Sequence, residues 1–342
     1  MWTAAELYND LNLNGKYDDP ITATELTSDF SGGGMIGKNY SGMDSALEAL
    51  IDTSPKKAGI ETLSAELRVK HGQFAISGSA SVGQNSNVDG GTSKATVDGV
   101  FVNDGWAGNK GSISVFSDNG TSNAYDVDSL GIDLPLLSGI GSDPYVDSGG
   151  TSWSTQENYL DSRSLTIPVT SITTSTASFS YGPDAYGNSI TFVNGNPCVV
   201  TVTGIFKVAD GFHLGSKDSL RFAGSGTFYS PGTINIDGNF LPKAGPTFPT
   251  TTRIGFIAKN TINIAGGNGS SQLSLCGAFY AQNKITSAKQ NKIAGTFVGS
   301  YFDMGTNVPN IYQVPSLRTN LPPGMPGADP IIFLKMQGWR ER

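Results

Sequence analysis

The stretch Thr233-Ile-Asn-Ile-Asp-Gly-Asn239 decides the fold, because it returns downstream as Thr261-Ile-Asn-Ile-Ala-Gly-Gly-Asn268. Short strands that begin with glycine and carry an aromatic residue recur around these two copies: Gly226-Thr-Phe-Tyr, Gly255-Phe-Ile, Gly277-Ala-Phe-Tyr and Gly295-Thr-Phe-Val. One strand type that recurs at irregular intervals of about one coil is typical of a β-solenoid, in which every repeat stacks on its neighbour. The pattern therefore predicts that these segments lie on top of one another.

Outside this region, short alternating runs are separated by Gly, Asn and Asp, for example at Glu66–Val69, Leu165–Val169 and Val199–Val208. Runs of this kind indicate a sandwich, a barrel or a solenoid, and the internal repeat favours the solenoid. We predict an all-β fold, a parallel β-helix-like solenoid with a short N-terminal helical and loop segment. The predicted inward residues are Phe228, Ile234, Ile236, Ile257, Ile262, Ile264, Phe279, Ile285, Ile293, Phe297 and Phe302.

The composition supports this class. The 342 residues include 44 Gly, and only 15% are charged, whereas 37% are hydrophobic, which is enough for a core. The formal net charge of −7 argues against a protein-wide basic surface for nucleic acid or anionic membrane. A local basic patch is still conceivable in the stretch from Lys284 to Lys292, where a solvated turn is the simpler interpretation.

Two cysteines, Cys198 and Cys276, fit either one disulfide in an oxidising compartment or two buried thiols. The sequence contains no run of 18 apolar residues and no visible signal peptide. Either the chain is cytoplasmic, which its composition disfavours, or an export segment precedes Met1 in the natural protein. We favour export, and we expect the chain at the cell surface or outside the cell.

Along the chain we distinguish five segments. Residues 1–59 form an N-terminal segment whose helix is predicted at residues 43–51, capped by Asp44 or Ser45. Residues 60–135 form a first β region, and residues 136–163 a loop-rich excursion. Residues 164–327 form the main solenoid and a proline-rich strap, and residues 328–342 a C-terminal stub.

One motif near the N-terminus has the chemistry of a calcium loop. Oxygen-bearing side chains alternate along Asp10-Leu-Asn-Leu-Asn-Gly-Lys-Tyr-Asp-Asp19, with Gly15 at the sixth position. Position 12 is Ile21, so the bidentate glutamate of an EF-hand is missing, and a plain Asn/Gly turn is the alternative. We predict a structural Ca²⁺ ion with the ligands Asp10, Asn12, Asn14, Lys16 through its carbonyl, Asp18 and Asp19.

Other candidate sites are weaker. Asp118, Asp126, Asp128 and Asp133 are spaced as the acids of a secreted β-helix polysaccharide-active enzyme could be, although turn residues explain them more simply. The only histidines, His71 and His213, lie in unrelated contexts, so a His-based zinc site or catalytic triad has little support. We expect a protein that is not an enzyme.

Six aromatic residues fall in Gly-, Asn- or Asp-rich stretches, where strand packing does not explain them: Trp106, Tyr145, Trp153, Tyr159, Tyr181 and Tyr186. Exposed aromatic residues bind sugars or partner surfaces. The alternative is that each loop folds down on its own aromatic residue.

The last hundred residues resemble a known family. The glycine-rich coils are followed by Tyr301-Phe-Asp, by Val308-Pro-Asn-Ile-Tyr, and by Pro315-Ser-Leu-Arg-Thr-Asn-Leu-Pro-Pro-Gly-Met-Pro-Gly327. This succession is similar to the C-terminal part of bacterial type IV pilin-like proteins of the PilX class, some of which carry a large β-solenoid. The resemblance covers residues 199–327 well and extends weakly to residues 60–135.

The resemblance implies a minor pilin or tip protein of a pilus-like filament, with adhesion, DNA capture or assembly priming as its role. Implied partners are other pilin subunits and a surface, such as a polysaccharide or a host surface. The acidic balance counts against DNA. The hydrophobic N-terminal helix that anchors such proteins in a membrane or filament is missing from this sequence, and no binding residue of the family can be matched to a position here.

Overall fold

The structure is a computed structural model, and it describes most of the chain after residue 144 and shorter stretches before it. The described residues are 5–7, 28–30, 35–38, 43–52, 66–69, 73–86, 94–95, 97, 99–102, 105–117, 136–138, 144–216, 219–267, 272–304, 309–312 and 314–326. Among these residues, no helix is long and apolar enough to cross a membrane.

Strands account for most of the described regular structure. In the first part of the chain they are β1 (Ala5–Leu7), β2 (Ser28–Phe30), β3 (Met35–Lys38), β4 (Glu66–Val69), β5 (Phe74–Ile76), β6 (Ser81–Val82), β7 (Asn85–Ser86), β8 (Lys94–Ala95), β9 (Gly99–Val102), β10 (Trp106–Ala107), β11 (Tyr145–Val146) and β12 (Ser152–Trp153).

The second part of the chain holds the longer strands. They are β13 (Leu165–Thr166), β14 (Ser171–Ile172), β15 (Phe179–Tyr181), β16 (Ser189–Val193), β17 (Cys198–Lys207), β18 (Phe212–Leu214), β19 (Ser219–Ser230), β20 (Ile234–Ile236), β21 (Asn239–Pro242), β22 (Arg253–Ala258), β23 (Thr261–Ile264), β24 (Ser274–Ser287), β25 (Lys292–Asp303) and β26 (Asn310–Tyr312). The described helices are α1 (Ser45–Glu48), α2 (Gln156–Arg163) and the 3-10 turns Gly111–Ser114 and Pro315–Thr319. The prediction of an all-β chain with a short N-terminal helical segment is confirmed.

Most strands join one continuous network of 22 strands, in which parallel pairing dominates. The two copies of the repeat pair with each other in register, Ile234 beside Ile262 and Ile236 beside Ile264. The chain passes in turn through three faces and then returns to the first, one level further along. We call each such passage a coil.

Face 1 contains, in spatial order, β13, the second half of β17, the second half of β19, β22, the middle of β24, the middle of β25, β1, β4 and β9. Face 2 contains β14, β18, β20, β23, the ends of β24 and β25, β2, β5 and β10. Face 3 contains the first halves of β17 and β19, then β21, the starts of β24 and β25, β26, β3 and β6.

We number the coils in spatial order. Coil 1 is β13 and β14, coil 2 is β17 and β18, coil 3 is β19 and β20, and coil 4 is β21 to β23. Coils 5 and 6 are the long strands β24 and β25. Coil 8 is β3 to β5, and coil 9 is β6, β9 and β10. Coil 7 lies between coils 6 and 8. It combines strands from two distant parts of the chain, because β26 forms its face 3 whereas β1 and β2 form its faces 1 and 2.

The core is a column of apolar side chains that point inward from every face. Phenylalanine rings form its centre along face 1: Phe206, Phe228, Phe256, Phe279 and Phe297 follow one another with centroid distances of 5.8, 5.9, 5.3 and 5.1 Å. The inward position of coil 4 is therefore Phe256, and the prediction of Ile257 was wrong by one residue. Ile257 lies in register between Tyr229 and Tyr280 on the opposite side of the strand.

A tight bend between face 3 and face 1 divides β19. Gly224 stands at this bend with a φ of +84°, and a Cβ atom there would lie 2.1 Å from the carbonyl oxygen of Val202 in the neighbouring coil 2. Glycine is required because it alone tolerates both this backbone conformation and this close approach.

Outer covers bury the far side of face 1. Helix α2 crosses several coils, since its Glu157 pairs with Lys259 of coil 4 and its Asp161 pairs with Lys207 of coil 2, both at 2.7 Å. Residues 314–326 lie on the same face, where Met325 packs over Gly255. These covers explain why outward residues of face 1 such as Tyr229 are fully buried.

The N-terminal helix is confirmed and is shorter than expected. Asp44 caps α1 by accepting the amide of Ala46 at 2.9 Å, and Leu47 is buried. Helix α2 was missed, and it occupies part of the stretch that was expected to be loop. The cysteines are two free, buried thiols, and burial raises the pKa of Cys276.

Candidate functional site

A partly exposed group of aromatic and charged side chains lies beside coil 1, at one end of the stack. We call it the end cluster, and its members are Tyr145, Asp147, Trp153, Tyr159, Arg163 and Tyr186. Helix α2 supplies two of them. Thr155 begins the helix by accepting the amide of Asn158 at 3.0 Å, and buried Leu160 holds it against the coils. Tyr159 and Arg163 are four residues apart, so they project from the same side of the helix.

The hairpin of β11 and β12 supplies the next members. Tyr145 lies opposite Trp153 in the antiparallel pair. Between them, Asp147 accepts the amides of Gly149 and Thr151 at 3.0 and 2.9 Å, and its second oxygen accepts the indole N–H of Trp153 at 3.0 Å. These hydrogen bonds, that of Trp153 foremost, lower the pKa of Asp147. The carboxylate is therefore ionised at neutral pH and fixes the indole ring.

The guanidinium group of Arg163 lies against two rings. Its Cζ atom is 4.5 Å from the ring centroid of Tyr186 and 5.2 Å from that of Trp153. One of its nitrogens is 3.9 Å from a carboxylate oxygen of Asp147. Tyr159 adds its ring at 5.0 Å from Tyr145 and 5.7 Å from Trp153. Cation–π contacts and aromatic pairs of this kind each contribute about 0.5–1.5 kcal/mol.

A rigid loop presents Tyr186. Asp184 accepts the amides of Tyr186 and Asn188, each at 2.9 Å, and the side chain of Asn188 ties the loop to the backbone oxygen of Arg163 at 2.6 Å and to the amide of Ile205 at 2.9 Å. Burial alone would raise the pKa of Asp184, but hydrogen bonds led by those from Asn188 outweigh it and lower the pKa. Tyr186 nevertheless stays 54% exposed, so its ring is both fixed and accessible.

This arrangement is suited to binding. Tyr, Trp and Arg dominate the residues that carry binding energy at protein interfaces, and rigid aromatic side chains lose little entropy when they are covered. Four of the six aromatic residues singled out in the sequence belong to the cluster. The other two do not: Trp106 lies on β10 and packs edge-on against Phe74 at 5.9 Å, and Tyr181 lies on β15 beside Phe179 at 5.2 Å.

Sequence reasoning missed Arg163 and Asp147. The signals were present, since Thr155, Glu157 and Arg163 have the positions of an N-cap, a first-turn acid and a last-turn base of a helix. Similarly, Asp147-Ser-Gly-Gly-Thr151 is a turn sequence between two aromatic residues. Both elements are too short for hydrophobic periodicity to reveal them.

The other predicted sites have different outcomes. The proposed calcium ligands Asp10, Asn12, Asn14, Lys16, Asp18 and Asp19 lie outside the described residues, as do Asp118, Asp126, Asp128, Asp133 and His71. In the part of the chain that the structure describes, no three or more His, Cys, Asp or Glu side chains are grouped to hold a metal ion. His213 is 53% exposed on face 2, with Nδ1 3.5 Å from a carboxylate oxygen of Asp237.

Several cations of the described region are neutralised by acids. Lys284 lies 3.6 Å from Asp303, and Lys292 lies 2.9 Å from Asp44. Two lysines of the predicted basic stretch are thus paired with carboxylates.

Comparison with known proteins finds a likeness in fold alone. No family model matches the sequence. No curated protein matches it either. Among solved structures, the competence-associated pilin ComZ from Thermus thermophilus has a similar fold, with a TM-score of 0.64 and 14% sequence identity over 96% of this chain and 72% of that chain. The fold is thus pilin-like, as the C-terminal sequence resemblance implied at the level of type IV pilin-like proteins.

Proposed function

We propose that this protein is a non-enzymatic subunit of a type IV pilus-like filament at the cell surface, where it contacts other pilin subunits. The observation that carries the proposal is the fold likeness to a pilin, which extends over 96% of the chain. The coil stack adds physical support, because parallel β coils form a stiff body that holds exposed loops away from its axis.

We propose the end cluster as the adhesive contact. Tyr186 and Arg163 form a fixed surface beside coil 1. A surface polysaccharide is a suitable ligand, since the exposed ring of Tyr186 offers an apolar face and the partly exposed guanidinium group of Arg163 offers N–H donors. We also propose that the protein belongs to the PilX class and that a Ca²⁺ ion bound at Asp10–Asp19 stabilises it.

An experiment in the natural host tests the filament assignment. Pili are sheared from intact cells, and the protein is measured by antibody in the sheared fraction of wild-type cells and of cells that lack the major pilin. We expect the protein in the sheared fraction only when pili are present. An equal amount in both strains, or confinement to the cytoplasm, would reject the assignment.

DNA capture is a second candidate, favoured by the competence association of the structural neighbour. The net charge of −7 and the ion pairs of Lys207, Lys259, Lys284 and Lys292 argue against it. A gel-shift titration with duplex DNA at low salt separates the two candidates. Binding that weakens steeply as salt rises would favour DNA capture, and an unshifted band would remove it.

A further inference from the structure

The joint at coil 7 divides the molecule into two arms. The N-terminal arm consists of β1 to β10 with α1, and the C-terminal arm consists of β13 to β26 with α2. Within the described residues the arms meet through parallel pairs of β1 and β2 with β25, and of β3 with β26. At this joint the edge strands of each arm pair, within the described residues, with strands of the other arm.

Side-chain and backbone contacts of α1 strengthen the joint. Asp44 pairs with Lys292 at 2.9 Å, and this contact lowers the pKa of Asp44. The amide of Asp52 donates to the carbonyl oxygen of Phe248 at 2.6 Å, and the hydroxyl group of Thr250 donates to the carboxylate of Asp52 at 2.7 Å. In each of these contacts the two partners belong to opposite arms, so the joint is an interface between the arms.

An open strand edge is a template for pairing with another chain. The β1, β2 and β3 edge of one copy fits the β25 and β26 edge of any other copy as well as its own, because the interface is made of the same sequences. Domain exchange of this kind needs no new contact surface. Whether the arms pair within one chain or between two copies depends on the length of the connection between the arms.

That connection permits exchange. Val115 pairs in parallel with Val82 of coil 9 and so lies one level beyond that coil, and the backbone of Leu137 contacts Tyr280 of coil 5. These two places are five levels apart, or about 24 Å at the spacing of β strands. Residues 118–135 join residue 117 to residues 136–138, and a chain of that length can span up to about 60 Å. The connection is long enough for an arm to reach a neighbouring molecule.

We propose that the N-terminal arm of one copy can complete coil 7 of a second copy, so that the protein joins to itself by arm exchange. The partner is therefore a second copy of this chain. The closed single chain has the advantage of an effective concentration of millimolar order, so exchange is favoured where copies are crowded. The inference does not depend on association with pili.

Variants of the full chain that each carry one added cysteine, besides the two buried native thiols Cys198 and Cys276, test it. Asp29 and Asp303 are register partners across the joint, and adjacent strands place Cα atoms about 4.8 Å apart, within the range of a disulfide. Chains with Asp29→Cys and chains with Asp303→Cys, each with a different tag, are expressed together and oxidised. A disulfide between the two tags forms only if an arm of one copy lies on the other copy. The double variant in one chain shows that the pair can oxidise.

A matched pair within one arm is the control. Asn235 and Asn263 are register partners in coils 3 and 4, and their side chains are 2.9 Å apart. Chains with Asn235→Cys and with Asn263→Cys are expressed together in the same way, and these positions cannot exchange without unfolding the C-terminal arm. We expect at least a tenfold excess of mixed-tag disulfide for the joint pair, rising with protein concentration. Equal yields for the two pairs, or no mixed-tag product from the joint pair, would overturn arm exchange.

Discussion

Replacing Phe256 by alanine tests the phenylalanine column most directly. The ring is 1% exposed, and its centroid lies 5.9 Å from that of Phe228, 5.3 Å from that of Phe279 and 6.0 Å from that of Phe240. The substitution removes the ring from the middle of the stack and breaks three aromatic pairs at once.

The size of the effect follows from these contacts. A buried Phe→Ala substitution costs about 3–5 kcal/mol of unfolding free energy. Each aromatic pair adds about 0.5–1.5 kcal/mol beyond area burial, so the upper end of that range applies here. We expect a loss of about 5 kcal/mol, which is a third or more of the stability of a typical domain.

Unfolding in urea, monitored by circular dichroism, measures the loss of unfolding free energy. With a slope of about 3 kcal/mol per molar urea, the midpoint falls by roughly 1.7 M. Tyr186→Ala is the control, because this ring is 54% exposed, and it should cost less than about 1 kcal/mol.

The double variant with Phe279→Ala adds a second check, since two rings in contact should be coupled by about 0.5–1.5 kcal/mol. If Phe256→Ala shifts the midpoint no further than Tyr186→Ala does, the column is not the core of the stack.

Three further changes probe other parts of the molecule. Gly224→Ala should lower stability by more than 3 kcal/mol, because the added Cβ would lie 2.1 Å from a carbonyl oxygen at a φ of +84°; a near-neutral effect in urea unfolding would contradict the bend. Removal of Ca²⁺ with a chelator should lower the melting temperature of the protein. The chelator should have no such effect on the variant Asp10→Ala/Asn14→Ala. A melting temperature of the unaltered protein that does not change with the chelator would reject the calcium loop. The pKa of Asp147 is lowered from 3.8 in the folded chain, so its stabilising contribution is present above that value and is lost as the pH falls through the folded pKa. Trp153 fluorescence should change in the same window and should stay constant there in Asp147→Asn; an identical titration in the two proteins would disprove the link.

Most of what the sequence could predict about the fold came from its internal repeat. Thr233–Asn239 and Thr261–Asn268 contain inward Ile residues at the same offsets, so strand type and pairing partner could both be inferred, and their pairing is confirmed. The inward residue of coil 4 was harder to predict, because Phe256 and Ile257 are both apolar and both fully or almost fully buried. Alternation cannot choose the inward residue when an outer cover buries the other side of the strand as well.

The end cluster was predictable only in part. Its aromatic residues were visible as rings in polar stretches, but nothing in the local sequence indicates that Arg163 would lie between Trp153 and Tyr186. That contact depends on helix α2, on a hairpin and on a distant loop meeting beside coil 1. Long-range assembly of this kind leaves no period or motif in the sequence.

The strand pairs at coil 7 can form only long after the N-terminal strands have been synthesised. Ala5 pairs with Phe297, which a ribosome adds about 290 residues later. At roughly 5–20 residues per second, the earliest strands wait on the order of 15–60 s for their neighbour. Coil 7 can therefore be completed only after β25 and β26 have been made, and a chain that stops before Lys292 would lack the strands with which β1, β2 and β3 pair.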